Sequence, residues 1–139
     1  MKPMMIVTSL LLLVLAAIPV SAHHAFAAEF DAGKPVKLRG TVTKMEWINP
    51  HAWIHIDVKK PDNSVDEWMV EAGSPNTLLR RGLTKDSLKA GTEILVQGYQ
   101  SKDGSLRANG RDVTLPNGQT LFLSNNAAEE GPNPDKPKP

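Results

Sequence analysis

The sequence predicts a mainly antiparallel all-β domain, a small OB-type barrel of five to six strands with one short helix between strands three and four. Three observations carry that prediction. Apolar residues recur with period two over most of the chain, the period of half-buried strands. A single capped helical segment, Ser74-Pro75 to Gly82, interrupts the strands after the third. The first strand is long and carries a glycine, Gly40, where a strand shared by both halves of a barrel has to bend. A plain antiparallel sandwich is the alternative arrangement.

Before the strands comes an export signal, residues 1–22. Lys2 supplies a positive start, Met4 to Ile18 is an almost unbroken apolar run, and Val20-x-Ala22 puts small residues at a cleavage position. The run is short for a bilayer span. Cleavage after Ala22 leaves a chain beginning His23-His24, whereas a second site at Ala25-Phe26-Ala27 would remove both histidines. A cleaved segment implies periplasmic localisation, and the remaining chain has no further hydrophobic stretch of transmembrane length.

In the domain, residues 23–123, Val36, Leu38, Gly40 and Val42 alternate with polar neighbours, and the apolar phase then slips near Lys44, which predicts a bulge. After Asn49-Pro50, strand two puts Ala52, Ile54, Ile56 and Val58 on one face and His51, Trp53, His55 and Asp57 on the other. Pro61 to Ser64 is turn chemistry, and strand three buries Trp68, Val70 and Ala72. Ser74 caps the helix, Pro75 fits its first position, and Leu78 and Leu79 are expected to face inward. Thr84 to Leu88 adds another turn. Strands four to six are read at Thr92 to Gln100, Leu106 to Leu115 and Gln119 to Leu123, the last pair joined by a tight hairpin at Asn117-Gly118. Residues 124–139, rich in proline and charge, read as a disordered tail.

Composition narrows the functional classes. Lys2 is the only charged side chain in the first 22 residues, so the remaining 117 of 139 residues carry 15 Lys+Arg against 15 Asp+Glu. That balance gives no basic face for nucleic acid. The absence of cysteine excludes disulfides, thiolate metal sites and cysteine nucleophiles.

The segments His23-His24-Ala25-Phe26, Gly40-Thr41-Val42, Trp47-Ile48-Asn49-Pro50-His51-Ala52-Trp53, Gly73-Ser74-Pro75-Asn76 and Arg81-Gly82-Leu83-Thr84 resemble a bacterial periplasmic domain-of-unknown-function family, numbered 6152. The resemblance covers most of the chain after residue 22. It implies an exported protein of proteobacterial type and carries no activity with it.

Chemistry therefore has to come from the residues. The expected ligand-binding face comprises Trp47, His51, Trp53, His55, Met69 and Glu71, on the strand-two and strand-three face where OB-type barrels bind ligands. Placing Lys59 opposite Glu67 sets His55 opposite Glu71 and avoids opposing Asp57 to Glu67. Copper is the one candidate cofactor, held by His23, His24, His51 and His55. An N-terminal histidine offers its amine and imidazole, and a further imidazole completes a nitrogen-rich site suited to copper(II). His51 and His55 alone lie about 13 Å apart along the strand, too far for one ion. Met45 and Met69 offer thioethers to copper(I), or fill gaps in the core. Structural roles for Trp47, Asn49, Pro50 and Trp53 are the competing reading, with Trp47 and Trp53 packed under Phe26 and Phe30, Asn49 bonding local backbone and His51 capping the turn. Ser74 is better explained as a cap than as a nucleophile, and no phosphate loop or dinucleotide fingerprint appears. A non-catalytic binding module for a small ligand, peptide or envelope partner is the expected function.

Overall fold

The computed structural model describes residues 26–124, so the predicted signal segment, His23, His24 and the tail from residue 125 lie outside the described residues. A short helix, α1 (residues 26–29), leads into six strands. They are β1 (Phe30–Glu46), β2 (Trp53–Lys59), β3 (Val65–Glu71), β4 (Glu93–Ser101), β5 (Arg107–Thr114) and β6 (Thr120–Phe122). One helix, α2 (Pro75–Arg80), lies between β3 and β4. Among the described residues no helix is long and apolar enough to cross a membrane.

The strands form one sheet in the order β3-β2-β1-β4-β5-β6, and a further parallel pairing of β3 with β5 closes five of them into a ring. All other pairings are antiparallel. β1 belongs to both sides of the ring. Val36 to Thr41 pair with β4, and Thr41 to Glu46 pair with β2. The predicted bulge appears as a register shift between Val42 and Lys44. Gly40 matters at this bend because a β-carbon there would come 2.8 Å from the Asp57 backbone oxygen.

The core fills the ring. Leu38, Val42, Ile54, Ile56, Trp68, Val70, Leu78, Ile94 and Val96 belong to one buried cluster, with Val36 and Val58 packed against it, as the period-two pattern predicts. Ser74 caps α2 by accepting the Thr77 N–H at 3.3 Å. Leu78 is fully buried, but Leu79 is half exposed rather than inward. Neighbouring residues on a helix diverge by about 100°, so a six-residue helix seats only one of the two in the core. Residues 84–88 form a hydrogen-bonded turn, which places Leu83 and Leu88 in the same cluster.

The β2–β3 and β5–β6 hairpins share one geometry. Lys60 donates to Ser64 O at 2.8 Å and accepts from Asn63 N–H at 3.0 Å, with Asn63 in the left-handed region at φ 67°. Gly118 occupies the equivalent position in the β5–β6 hairpin, at φ 85°, and Gly104, at φ 77°, closes a turn within the longer β4–β5 connection. The β2–β3 and β5–β6 connections are three-residue loops, each a turn closed by one left-handed residue, whereas residues 102–106 separate β4 from β5. The Asn117-Gly118 hairpin is thus one residue longer than a two-residue loop.

This loop also fixes the β2–β3 register, which corrects the expected one. Lys59 pairs with Val65, Asp57 with Glu67, His55 with Met69 and Trp53 with Glu71. The charge argument therefore picked a register slid by two residues. Opposed carboxylates at a solvent-facing position cost a fraction of a kcal/mol up to about 1 kcal/mol. A strained loop and displaced core pairs cost more, and Ile54–Val70 and Ile56–Trp68 are the core pairs that the loop aligns.

Ile56 is 1% exposed. Replacing it with alanine is expected to cost about 2–5 kcal/mol, read as a shift of the urea midpoint at unchanged slope. A near-neutral result would contradict its place inside the ring.

Candidate functional site

The site grows out of the six residues joining β1 to β2. Trp47 packs against the core edge, the Asn49–Pro50 peptide is cis, and Ala52 is fully buried. Ala52 donates to Gly73 O at 3.0 Å and accepts from Ala72 N–H at 2.8 Å, which extends the β2–β3 ladder past Trp53. With Ala52 turned inward, His51 and Trp53 point to the other face. Glu71 stands opposite Trp53, and its Oε1 reaches the neighbouring His51 Nδ1 at 2.8 Å. Both side chains are mostly shielded, His51 25% and Glu71 13% exposed.

Two further strands complete the surroundings. The parallel β3–β5 register sets Arg107 beside Met69 and Asn109 beside Glu71. The Arg107 guanidinium lies 5.2 Å from the Trp53 ring centroid and donates to Glu29 Oε2 at 3.3 Å. Asn109 Nδ2 donates to Glu71 Oε1 at 3.5 Å, while its Oδ1 is buried without a partner. From the N-terminal side, Phe26 packs on Phe30 and edge-on to Tyr99, which holds Glu29 and Phe30 at the rim. The result is a pocket of about 330 Å³ lined by Glu29, Phe30, Ile48, Asn49, Pro50, His51, Trp53 and Glu71.

The predicted face divides into two. His51, Trp53 and Glu71 share this pocket, whereas His55 and Met69 line a second one of about 260 Å³ with Thr43, Ile56, Glu67 and Trp68. Trp47 lines neither. His55 is not paired with Glu71; its Nε2 lies 2.8 Å from Glu46 Oε2. The bulge causes this, because it pairs Lys44 with His55 and Glu46 with Trp53, leaving Glu46 diagonal to His55. Met45 packs against the core. Among the described residues no group of three or more His, Asp or Glu is arranged to hold a metal ion.

Electrostatically the two histidine–carboxylate contacts differ. Burial raises the Glu71 pKa above its ordinary value, the His51 charge and hydrogen bond pull it back down, and the Glu29 charge pushes it up. Glu46 moves the other way, lowered first by its bond to His55 and then by Lys44, 2.9 Å away. In the β4–β5 turn, bonds from Ser105 and Ser101 lower Asp103 to about 2. Arg107, Asn109, Glu29 and Glu46 escape the sequence reading. The hairpin could have pointed to Glu46 had the bulge been placed to the residue. For the other three no local spacing gives a signal.

Glu71 allows a pH test. A carboxyl group whose folded pKa is raised binds protons more readily in the folded state, so stability falls as pH rises through the window above the ordinary carboxylate value. Glu71→Gln keeps an acceptor for His51 and removes the buried charge. The variant is expected to match the wild type near pH 4 and to be the more stable of the two at pH 7, measured by urea denaturation at both values. A wild type that gains on the variant between those values would contradict the assignment.

Neither a curated protein nor a solved structure matches the chain. A family model described as a family of unknown function, DUF6152, matches residues 11–110. That span includes every residue of the pocket together with Arg107 and Asn109. The match extends over well more than half of the chain, and the protein belongs to the DUF6152 family.

Proposed function

We propose that the protein is an exported periplasmic binding module, non-catalytic, which seats a small ligand in the pocket of His51, Trp53 and Glu71. The observation that carries this reading is convergence. An aromatic ring, a buried carboxylate and an imidazole meet in one concavity of about 330 Å³, within the roughly 300–1,000 Å³ usual for ligand sites. The ring of strands is read as an OB-type barrel, which the strand order β1-β2-β3-β5-β4 and the helix between β3 and β4 support. In such barrels the strand-two and strand-three face and the loops after strands one and four bind ligands. The pocket lies at the first of those loops, and Arg107 begins the strand that follows the second. A peptide side chain from an envelope partner would use the same groups.

Titration of the isotope-labelled protein with a panel of amphipathic small molecules tests this. Binders are expected to shift the signals of His51, Trp53 and Arg107 together, and Trp53→Ala to weaken them at least tenfold with the melting temperature within a few degrees. Binding that ignores Trp53→Ala would overturn the assignment of the pocket.

A second reading, copper, is favoured by one specific feature. With Nδ1 committed to Glu71, His51 offers Nε2 as a carboxylate-backed ligand. His23 lies three positions before Phe26, a reach of about 10 Å. On this reading the His23 amine and imidazole bind copper(II) with one of His24, His51 or His55. Adding one residue before His23 is then expected to weaken copper binding by orders of magnitude without affecting folding. Equal affinity in the extended protein, measured by competition titration, would remove this reading.

A further inference from the structure

Acceptors and donors are unequal in the His51–Glu71 pocket. His51 Nδ1 lies 2.8 Å from Glu71 Oε1, so this bond occupies one ring nitrogen and leaves Nε2 as the other polar atom of the ring. In the tautomer whose Nδ1–H donates to Glu71, His51 Nε2 is an acceptor. Glu71 takes both of its hydrogen bonds, from His51 and Asn109, on Oε1, so Oε2 has no donor among the described residues. The nearby cation is already engaged, since Arg107 lies over Trp53 and pairs with Glu29. His51 and Glu71 thus bring acceptor atoms and a partly compensated carboxylate to a cavity whose remaining walls include the apolar Ile48, Pro50 and Trp53.

Resting on the reading of this pocket as a ligand site, we propose that it takes a small primary amine in its ammonium form. The ammonium donates to Glu71 Oε2 and His51 Nε2, and the hydrocarbon body lies against Trp53 and Ile48. An ammonium group carries three donors and no acceptor, which matches this floor. A carboxylate ligand would meet Glu71 and Glu29 with like charge. A neutral alcohol would satisfy the acceptors without neutralising Glu71. Burial raises the pKa of Glu71 against the opposing pull of His51, so the carboxylate is only partly compensated where it stands.

Three probes of one size and shape separate these cases: cyclohexylamine, cyclohexanol and cyclohexanecarboxylate, titrated at pH 7 and followed through the Trp53 indole and His51 signals. The amine is expected to bind at least tenfold more tightly than either of the others. Glu71→Gln should erase that preference and lower the amine's affinity at least tenfold, while Glu67→Gln in the neighbouring pocket leaves it unchanged. Amine binding indifferent to Glu71→Gln overturns the proposal. Equal or tighter binding of the alcohol or carboxylate in the pocket overturns it too, and leaves the binding-module reading in place. If no probe shifts the pocket signals, both fall.

Discussion

Met69 with Arg107, Val70 with Ala108 and Glu71 with Asn109 form the short parallel ladder that ties β3 to β5. Without it the molecule would be an open sheet with β3 as a bare edge. Closing the ring removes that edge and lets one set of apolar side chains, from Leu38 on β1 to Val113 on β5, pack as a single core. The same three pairings assemble the site, because Arg107 and Asn109 reach Trp53 and Glu71 only through them. Parallel neighbours need a long connection. Here that connection contains α2 and all of β4. Fold and pocket therefore depend on one contact formed late in the sequence.

Closure leaves little freedom where strands cross. A β-carbon at Gly98 would overlap the Asn109 carbonyl oxygen, and one at Gly110 would approach Val70 and Leu123 side chains within 3 Å. Both glycines sit beside the β4–β5 irregularity at Gln97/Gly98. Asn109, whose amide contacts Glu71, is thus held by a backbone with no room to shift. That rigidity carries over to the Glu71 carboxylate, which is fixed from one side by Asn109 and from the other by His51.

The two histidine–carboxylate contacts illustrate how environment divides similar chemistry. Both span 2.8 Å. Glu46 is more exposed than Glu71 and has Lys44 close by, so its charge is easily carried. Glu71 is largely buried, and burial outweighs the pull of His51 while Glu29 adds like charge, so its charge is borne at a cost. Only the second pair has an unmet demand for a donor, which is why the pocket beside it, rather than the one beside His55, has a chemical preference.

The sequence by itself determined the faces and the punctuation. Ile54, Ile56, Trp68 and Val70 are inward because strands alternate, Ser74 caps α2 because serine followed by proline suits a helix start, and the slip near Lys44 is a bulge because the apolar phase changes there. Register escaped it for a physical reason. A slide of two residues keeps every side chain on its own face, so alternation cannot distinguish Glu71 opposite His55 from Glu71 opposite Trp53, and the choice fell to the three-residue loop at Asn63. Arg107, Asn109 and Glu29 were decided by tertiary structure alone. They lie 36 or more residues from Glu71 along the chain, and only closure of the ring and the packing of Phe26 on Phe30 and Tyr99 bring them to it.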